Sequence, residues 1–320
     1  MQVLITGGNG FIGQKLAQAL GLAGALDGRK ITGMTLADIS EPQPVGANFP
    51  VQYLTADISS TGDITQVFNP TPDVIFHLAA VVSGAAEADF DLGMTVNLQG
   101  TMNILAAARA QANQPKVIMA SSVAVHGGEA PILVHDGVAL NPQTSYGTQK
   151  AMGELLLNDY VRKGFVTGCG LRLPTVSIRP GLPNAAASSF MSSIFRDTMQ
   201  GNPANCPVGR DFLIWHTAPR TVVANLIYAV GIAPKAWGSN CCINLPGRTD
   251  SVDQMIDAMT RISGADAAKR ITWNTDPVIE KIVNGWRNQF DPQKGLGLGF
   301  TADRSFEDSV TWFLADDIAR

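Results

Sequence analysis

The segment SYGTQKA sets Tyr146 and Lys150 four residues apart, downstream of KVIMASS, a strand-like run that ends in Ser121 and Ser122. On a helix, residues four apart share a face. A free phenol titrates near 10 and is a poor base at neutral pH. A neighbouring ammonium and a positively charged pyridine ring both favour the phenolate and are expected to lower that value. Ser122 can bond the same substrate oxygen and orient it toward Tyr146. Such a set removes a proton from an alcohol while hydride leaves the alcohol's carbon. An ordinary i, i+4 pair on an amphipathic helix has the same spacing, so the reading needs further support.

That support stands at the start of the chain. VLITGGNGFIGQKLAQAL places Gly7, Gly10 and Gly13 between a strand and a helix opened by Phe11 and Ile12. The first glycine permits a tight turn, the second lets backbone approach a pyrophosphate, and the third lets helix pack on strand. Free N–H groups at the helix N-terminus then face the phosphates. Asp38 ends the next long strand, MTLAD, 25 residues beyond Gly13, where a carboxylate accepts from both adenosine ribose hydroxyls. A carboxylate there repels a 2′-phosphate and no arginine follows in ADISEPQP, so NAD is expected rather than NADP. Asp57, in TADIS, is expected to reach the adenine amino group, with Ile58 packing on the ring. Leu78, Ala79 and Ala80 end a further strand, where a cofactor can lie close to backbone.

These motifs are carried by alternating elements. QVLIT, MTLAD, VQYLTAD, DVIFHLAA, KVIMASS and VTGCGLRLP read as strands, separated by helical runs that include one from about Tyr146 to Lys163. Continuous apolar strands joined through helices imply a parallel sheet covered on both faces, a doubly wound α/β domain. After Pro174 the rhythm breaks into RPGLPNAAASSF and a helical SSFMSSIFRDTMQ. A helix from about Pro219 to Val230, strand-like CCINLPG, and a helix in TDSVDQMIDAMTRISG capped by Thr249 or Asp250 follow.

With the glycine turn, Ser122 and the YxxxK pair in one chain, the sequence resembles the extended short-chain dehydrogenase/reductase family, which includes nucleotide-sugar epimerases and dehydratases. The resemblance runs from TGGNGFIG through SSVAVHG and YGTQK to INLPG. It implies a Rossmann-type domain over residues 1–173, completed by about 219–247, and a smaller C-terminal α/β substrate-binding domain from 174–218 and 248–320. It implies Ser122, Tyr146 and Lys150 as the catalytic set, with Tyr146 and Lys150 also touching NAD. Asn97 matches the family's helix asparagine, usually a structural or proton-relay residue, here placed with the cofactor contacts. Pro174 matches the position that contacts the nicotinamide carboxamide. His126 stands where the family usually has a tyrosine. Many relatives dimerise through the helices containing Asn97 and Tyr146, so a homodimer is expected.

Within that family, the loop after the sixth strand selects the substrate. RPGLPNAAASSF is compact and offers one aromatic, Phe190, with small hydroxyls, which suits a small polyhydroxylated acid better than a nucleotide sugar. The sequence here resembles a branch that oxidises the 2-hydroxyl of a four-carbon sugar acid with NAD. Arg179 and Arg220 are candidates for its carboxylate, while Ser83, Asn184 and Ser188 are candidates for its hydroxyls, together with Ser122 and Tyr146. Helix capping and internal salt bridges compete for the same residues. Two other readings stay open: a nucleotide-sugar epimerase with tightly held NAD, and a non-catalytic dinucleotide sensor. SSVAVHG lacks the acidic pair common in dehydratases, and a sensor often lacks the tyrosine or lysine that this chain retains.

Composition excludes other classes. The 320 residues are 45% hydrophobic and 16% charged, with a formal charge of −4 and no basic run to engage nucleic acid or an anionic membrane. The opening MQVLITGG begins a strand without a charged leader, no apolar stretch is long enough to span a bilayer, and the four cysteines show no metal-ligand spacing. No metal site and a cytoplasmic location are expected. His77, within an apolar strand, is expected to be a satisfied core residue, and the five tryptophans to fill the smaller domain.

Overall fold

In the computed structural model, residues 1–181 and 187–318 are described. Seven strands form the main sheet: β1 (Gln2–Thr6), β2 (Gly33–Asp38), β3 (Val51–Thr55), β4 (Val74–His77), β5 (Lys116–Ser122), β6 (Thr167–Leu173) and β9 (Cys242–Asn244). Their order is β9-β6-β5-β4-β1-β2-β3, with every pairing parallel. Strands rich in Val, Ile and Leu, buried on both faces, require helices on both sides. Helices α1 (Phe11–Ala23) and α5 (Pro219–Gly231) pack together, as do α2 (Gly100–Arg109) and α3 (Ser145–Arg162). The order reverses between β1 and β4, which opens a crevice at their carboxyl ends.

A second sheet of β7 (Thr175–Val176), β8 (Leu213–Thr217) and β10 (Arg248–Ser251) begins directly after β6 and supports a smaller core. In that core α4 (Phe190–Met199), α6 (Val252–Ser263) and α7 (Phe306–Phe313) bury Ile194, Phe195, Met255, Met259 and Phe306; the Phe195 and Phe306 rings lie 4.7 Å apart.

Two expectations are corrected. The cap of α6 is Ser251, whose hydroxyl accepts from the Gln254 amide while the Gln254 side chain accepts from the Ser251 amide; Thr249 and Asp250 stand in β10 instead. Trp237 is buried in the main core with Phe300, not in the smaller one. His77 is a satisfied core residue: its ring nitrogens meet Thr6 Oγ1 at 2.8 Å and Thr101 Oγ1 at 3.0 Å, and burial pushes its pKa down to about 3. All four cysteines are free and buried. Among the described residues no helix is long and apolar enough to cross a membrane, and no cluster of His, Cys, Asp and Glu could hold a metal ion.

Candidate active site

The glycine turn is built for close approach. Gly7 has a φ of +74°, and a Cβ there would lie 2.7 Å from the Ala79 amide nitrogen, so the turn after β1 is pressed against the end of β4. A Cβ on Gly13 would collide with the Gly7 carbonyl, so α1 can sit on the turn only without a side chain. Gln14 N donates to the Gly10 carbonyl as the helix starts. Leu78 and Ala79 pack on the main core, and the Leu78 amide donates to Thr6 O at 3.0 Å.

Asp38 closes the far side of the turn. Its Oδ2 accepts from the Asn9 amide at 3.0 Å and its Oδ1 from the Ser40 amide at 3.2 Å, while Asn9 Nδ2 donates to Ser40 Oγ at 2.8 Å. The carboxylate is held in place by neutral neighbours. The residues present fit NAD: a main-chain cradle that admits no Cβ, then an acid at the end of β2. Asn9 was not read from the sequence; its position inside the glycine turn was the available signal.

Other expected cofactor contacts fall out differently. Asp57 Oδ1 accepts from the Ser59 amide at 2.8 Å and hydroxyl at 2.7 Å, holding the turn after β3. The Ile58 side chain is buried and packs beside Gly100. Asn97, buried in a π-helical segment (Met94–Gln99), accepts from the Val81 amide at 2.8 Å. It donates to the Val81 carbonyl at 3.1 Å and to Gln149 Oε1 at 2.8 Å. Both its donors and one acceptor site are used internally, which makes it a clamp on the loop after β4. Pro174 is buried beside Gly247 where the chain leaves the main sheet.

Ser122, Tyr146 and Lys150 come together. Thr144 caps α3 by accepting from the Gly147 amide at 3.1 Å, which places Tyr146 in the first turn. Ser122 ends β5 in register with Leu173; its Oγ accepts from the Ala124 amide at 3.1 Å, and it lies near enough to the Tyr146 phenol to favour the phenolate. Lys150, 7% exposed, donates to the Ala120 carbonyl at 2.9 Å, with Nζ 5.7 Å from the Tyr146 ring centroid. Without the cofactor's charge, burial pushes the phenol up to about 12, against the pull of Ser122, and pushes the Lys150 amine down to about 8. Both charged forms lose hydration.

The substrate candidates divide. Arg220 is nearly half exposed and pairs with Asp316 at 2.6 Å, where Lys15 also meets Asp317 at 2.8 Å; it fastens the C-terminal segment and is not free for a carboxylate. Arg179 donates through Nη2 to Ser188 Oγ at 3.3 Å and the Ser188 carbonyl at 3.4 Å. Among the described residues it has no carboxylate partner, and burial followed by nearby Arg196 lowers its pKa. Arg196 itself pairs with Asp197 at 2.7 Å. Ser83 begins a short helix beyond β4, and Asn184 lies outside the described residues. His126 is buried, with Nε2 3.0 Å from Asn244 Oδ1.

A fold of this order, with an NAD-shaped turn and a Ser-Tyr-Lys set, defines a class of enzyme. A model of the NAD dependent epimerase/dehydratase family matches residues 3–220, and the chain belongs to that family. It is an NAD-dependent oxidoreductase of the extended short-chain dehydrogenase/reductase type. It is 45% identical over 320 residues to a D-erythronate dehydrogenase of Cupriavidus necator, covering 99% of this chain and 98% of that one. It is 42% identical to a D-erythronate dehydrogenase of Haemophilus influenzae, covering 99% and 100%. A crystal structure described as a nucleoside-diphosphate-sugar epimerase from Agrobacterium tumefaciens superposes with a TM-score of 0.95 at 40% identity, covering 100% of this chain and 95% of that one.

Proposed function

We propose that this enzyme oxidises the 2-hydroxyl of D-erythronate to the 2-oxo acid. The observation that carries the reading is Arg179, a partly buried guanidinium without a carboxylate partner among the described residues, held by Ser188 a few residues beyond the sheet edge where Ser122 and Leu173 pair. A partly buried cation of this kind favours an anion, and a sugar acid brings one. The names of the two full-length relatives support the substrate.

The glycine turn and Asp38 would hold NAD, which would supply the hydride acceptor and a positive ring. Ser122 donates to the substrate oxygen and orients it to Tyr146. Tyr146 acts as the phenolate, which the Lys150 ammonium and the positive ring of a bound cofactor would favour against burial, and takes the hydroxyl proton as the C2 hydrogen leaves with its electron pair. Arg179 anchors the carboxylate so that C2 rather than C3 faces the cofactor.

The test is to mix the purified protein with NAD and a panel of four- to six-carbon aldonates. Net NADH formation is expected with D-erythronate; none across the panel would remove the substrate class. The epimerase reading, favoured by the description of the Agrobacterium structure, predicts interconversion of nucleotide sugars without NADH release. The assembly proposed is a homodimer through the helical stretches containing Asn97 and Tyr146, supported by exposed Met102 and Leu155 along them; a monomer on sedimentation would contradict it. A cytoplasmic setting accords with four unpaired thiols.

A further inference from the structure

The loop after β4 is tied to the catalytic helix by a buried chain of amides, and the chemistry above leaves the far end of that chain unused. Val81 lies two residues beyond Ala79, against which the glycine turn is pressed. Its amide donates to Asn97 Oδ1 at 2.8 Å, and its carbonyl accepts from Asn97 Nδ2 at 3.1 Å. A backbone amide only donates and a carbonyl only accepts, so the Asn97 side chain has one orientation. Its other Nδ2 hydrogen goes to Gln149 Oε1 at 2.8 Å. Gln149 stands on α3 immediately before Lys150 and is fully buried. Its Nε2 has no partner among the described residues and lies against Gly93, where a Cβ would come within 2.5 Å of it. An unpaired buried amide nitrogen costs about 1–3 kcal/mol, and an apolar side chain would fill the same space without that cost. Packing therefore does not account for Gln149; the bond from its oxygen to Asn97 does.

The strand order indicates what this chain of bonds supports. Asp38 ends β2, the glycine turn follows β1 and Ser122 ends β5, with β4 lying between β1 and β5. A dinucleotide whose adenosine meets Asp38 and whose reactive ring reaches Ser122 has its second half over the end of β4. We propose that Gln149 is a positioning residue for that half of NAD: through Asn97 it locks the loop after β4 to α3, so that the floor under the nicotinamide ribose and the Tyr146–Lys150 face keep one spacing. The adenosine half rests instead on the glycine turn and on Asp38, which the Asn9 and Ser40 amides hold. A second tie runs alongside. The Ser145 amide, at the start of α3, donates at 2.8 Å to Glu87 Oε2 on the short helix Ser83–Ala88 that continues the loop. Loss of the Gln149 bond therefore loosens the loop at Val81 without detaching it.

The experiment compares the binding of NAD with that of ADP, which supplies only the adenosine half, by calorimetric titration of the full chain. Gln149→Met keeps the length of the side chain and removes its oxygen. Its NAD affinity is expected to fall about tenfold, the equivalent of one hydrogen bond, while its ADP affinity stays within about twofold of the native value. Asn97→Ala cuts the same path at its middle and is expected to show the same split, larger because both Val81 bonds are lost with it. The double variant is expected to bind NAD no more weakly than Asn97→Ala alone, because the two side chains act in series. Thermal melts establish that each variant is folded; if Gln149→Met is not, Gln149→Leu, apolar and shorter, is read in its place. An unmoved NAD affinity in a folded Gln149 variant, NAD and ADP affinities that fall together, or a double variant whose loss is the sum of the single losses overturns the proposal. None of these measurements involves a sugar acid, so they stand apart from the identity of the alcohol.

Discussion

The turn after β1 and the segment after β6 both lie at the carboxyl edge of one parallel sheet, yet they are built from different materials. The turn works with main chain: Gly7 against Ala79, Gly13 against the Gly7 carbonyl, and the Asn9 amide on Asp38. The segment works with side chains: Arg179 on Ser188, the Arg179 amide on Ser192 Oγ at 3.2 Å, and Arg196 on the Arg179 carbonyl at 3.2 Å. A ligand held by backbone and glycines leaves a local pattern in the sequence. One held by side chains depends on which residues the smaller core brings together. On the proposed function, the contrast separates what would bind NAD from what would select the alcohol.

The sharpest way to break that contrast is at the turn. Gly13→Ala forces a methyl into the Gly7 carbonyl, and NAD affinity measured by fluorescence titration is expected to fall roughly a hundredfold, the equivalent of a 1–3 kcal/mol overpacking strain. Arg179→Met should act on the other side alone. It is expected to raise KM for the sugar acid about tenfold to a hundredfold, the range of a lost charged hydrogen bond, with NAD affinity unchanged. If both ligands weaken together, the two regions are not separate. Asp38→Asn removes the charge that disfavours a 2′-phosphate, and the NAD-over-NADP preference in kcat/KM is expected to fall about tenfold.

The smallest effect concerns stability away from both regions. His77 titrates near 3 folded and near 6.5 unfolded. Between those values the unfolded chain binds a proton that the native chain refuses, so stability is full above 6.5 and is lost as pH falls toward 3. The loss between pH 7 and 4, read by denaturant melts, should be smaller in His77→Gln by on the order of 2 kcal/mol. His126, lowered to about 4 by burial and then by Arg172, adds loss in the same direction over the upper part of that range.

Legibility follows the same line. Gly7, Gly10, Gly13, Asp38 and the Tyr146–Lys150 pair could be read because each acts through spacing within one turn or one strand–helix unit. Arg220 could not be judged alone, since its partner Asp316 lies 96 residues away. Asn97 matched a known position, but its commitment to Val81 and Gln149 depends on how two helices meet the loop after β4. Glu154 and Arg172, paired at 2.8 Å and each 1% exposed, were passed over because a glutamate on a helix and an arginine on a strand reveal a buried pair only when strand and helix are stacked. The burial of Tyr146, which pushes its pKa up, was hidden for a related reason: sequence shows a neighbouring charge but not the desolvation that opposes it.

The central claim is that Tyr146 receives the proton of a sugar-acid alcohol as NAD is reduced. Its most direct test compares D-erythronate-dependent NADH formation by the native enzyme and by Tyr146→Phe, with NAD binding measured on both. The account predicts a loss of about a hundredfold or more in kcat with NAD still bound. A variant that turned over within a few-fold of the native rate would contradict it.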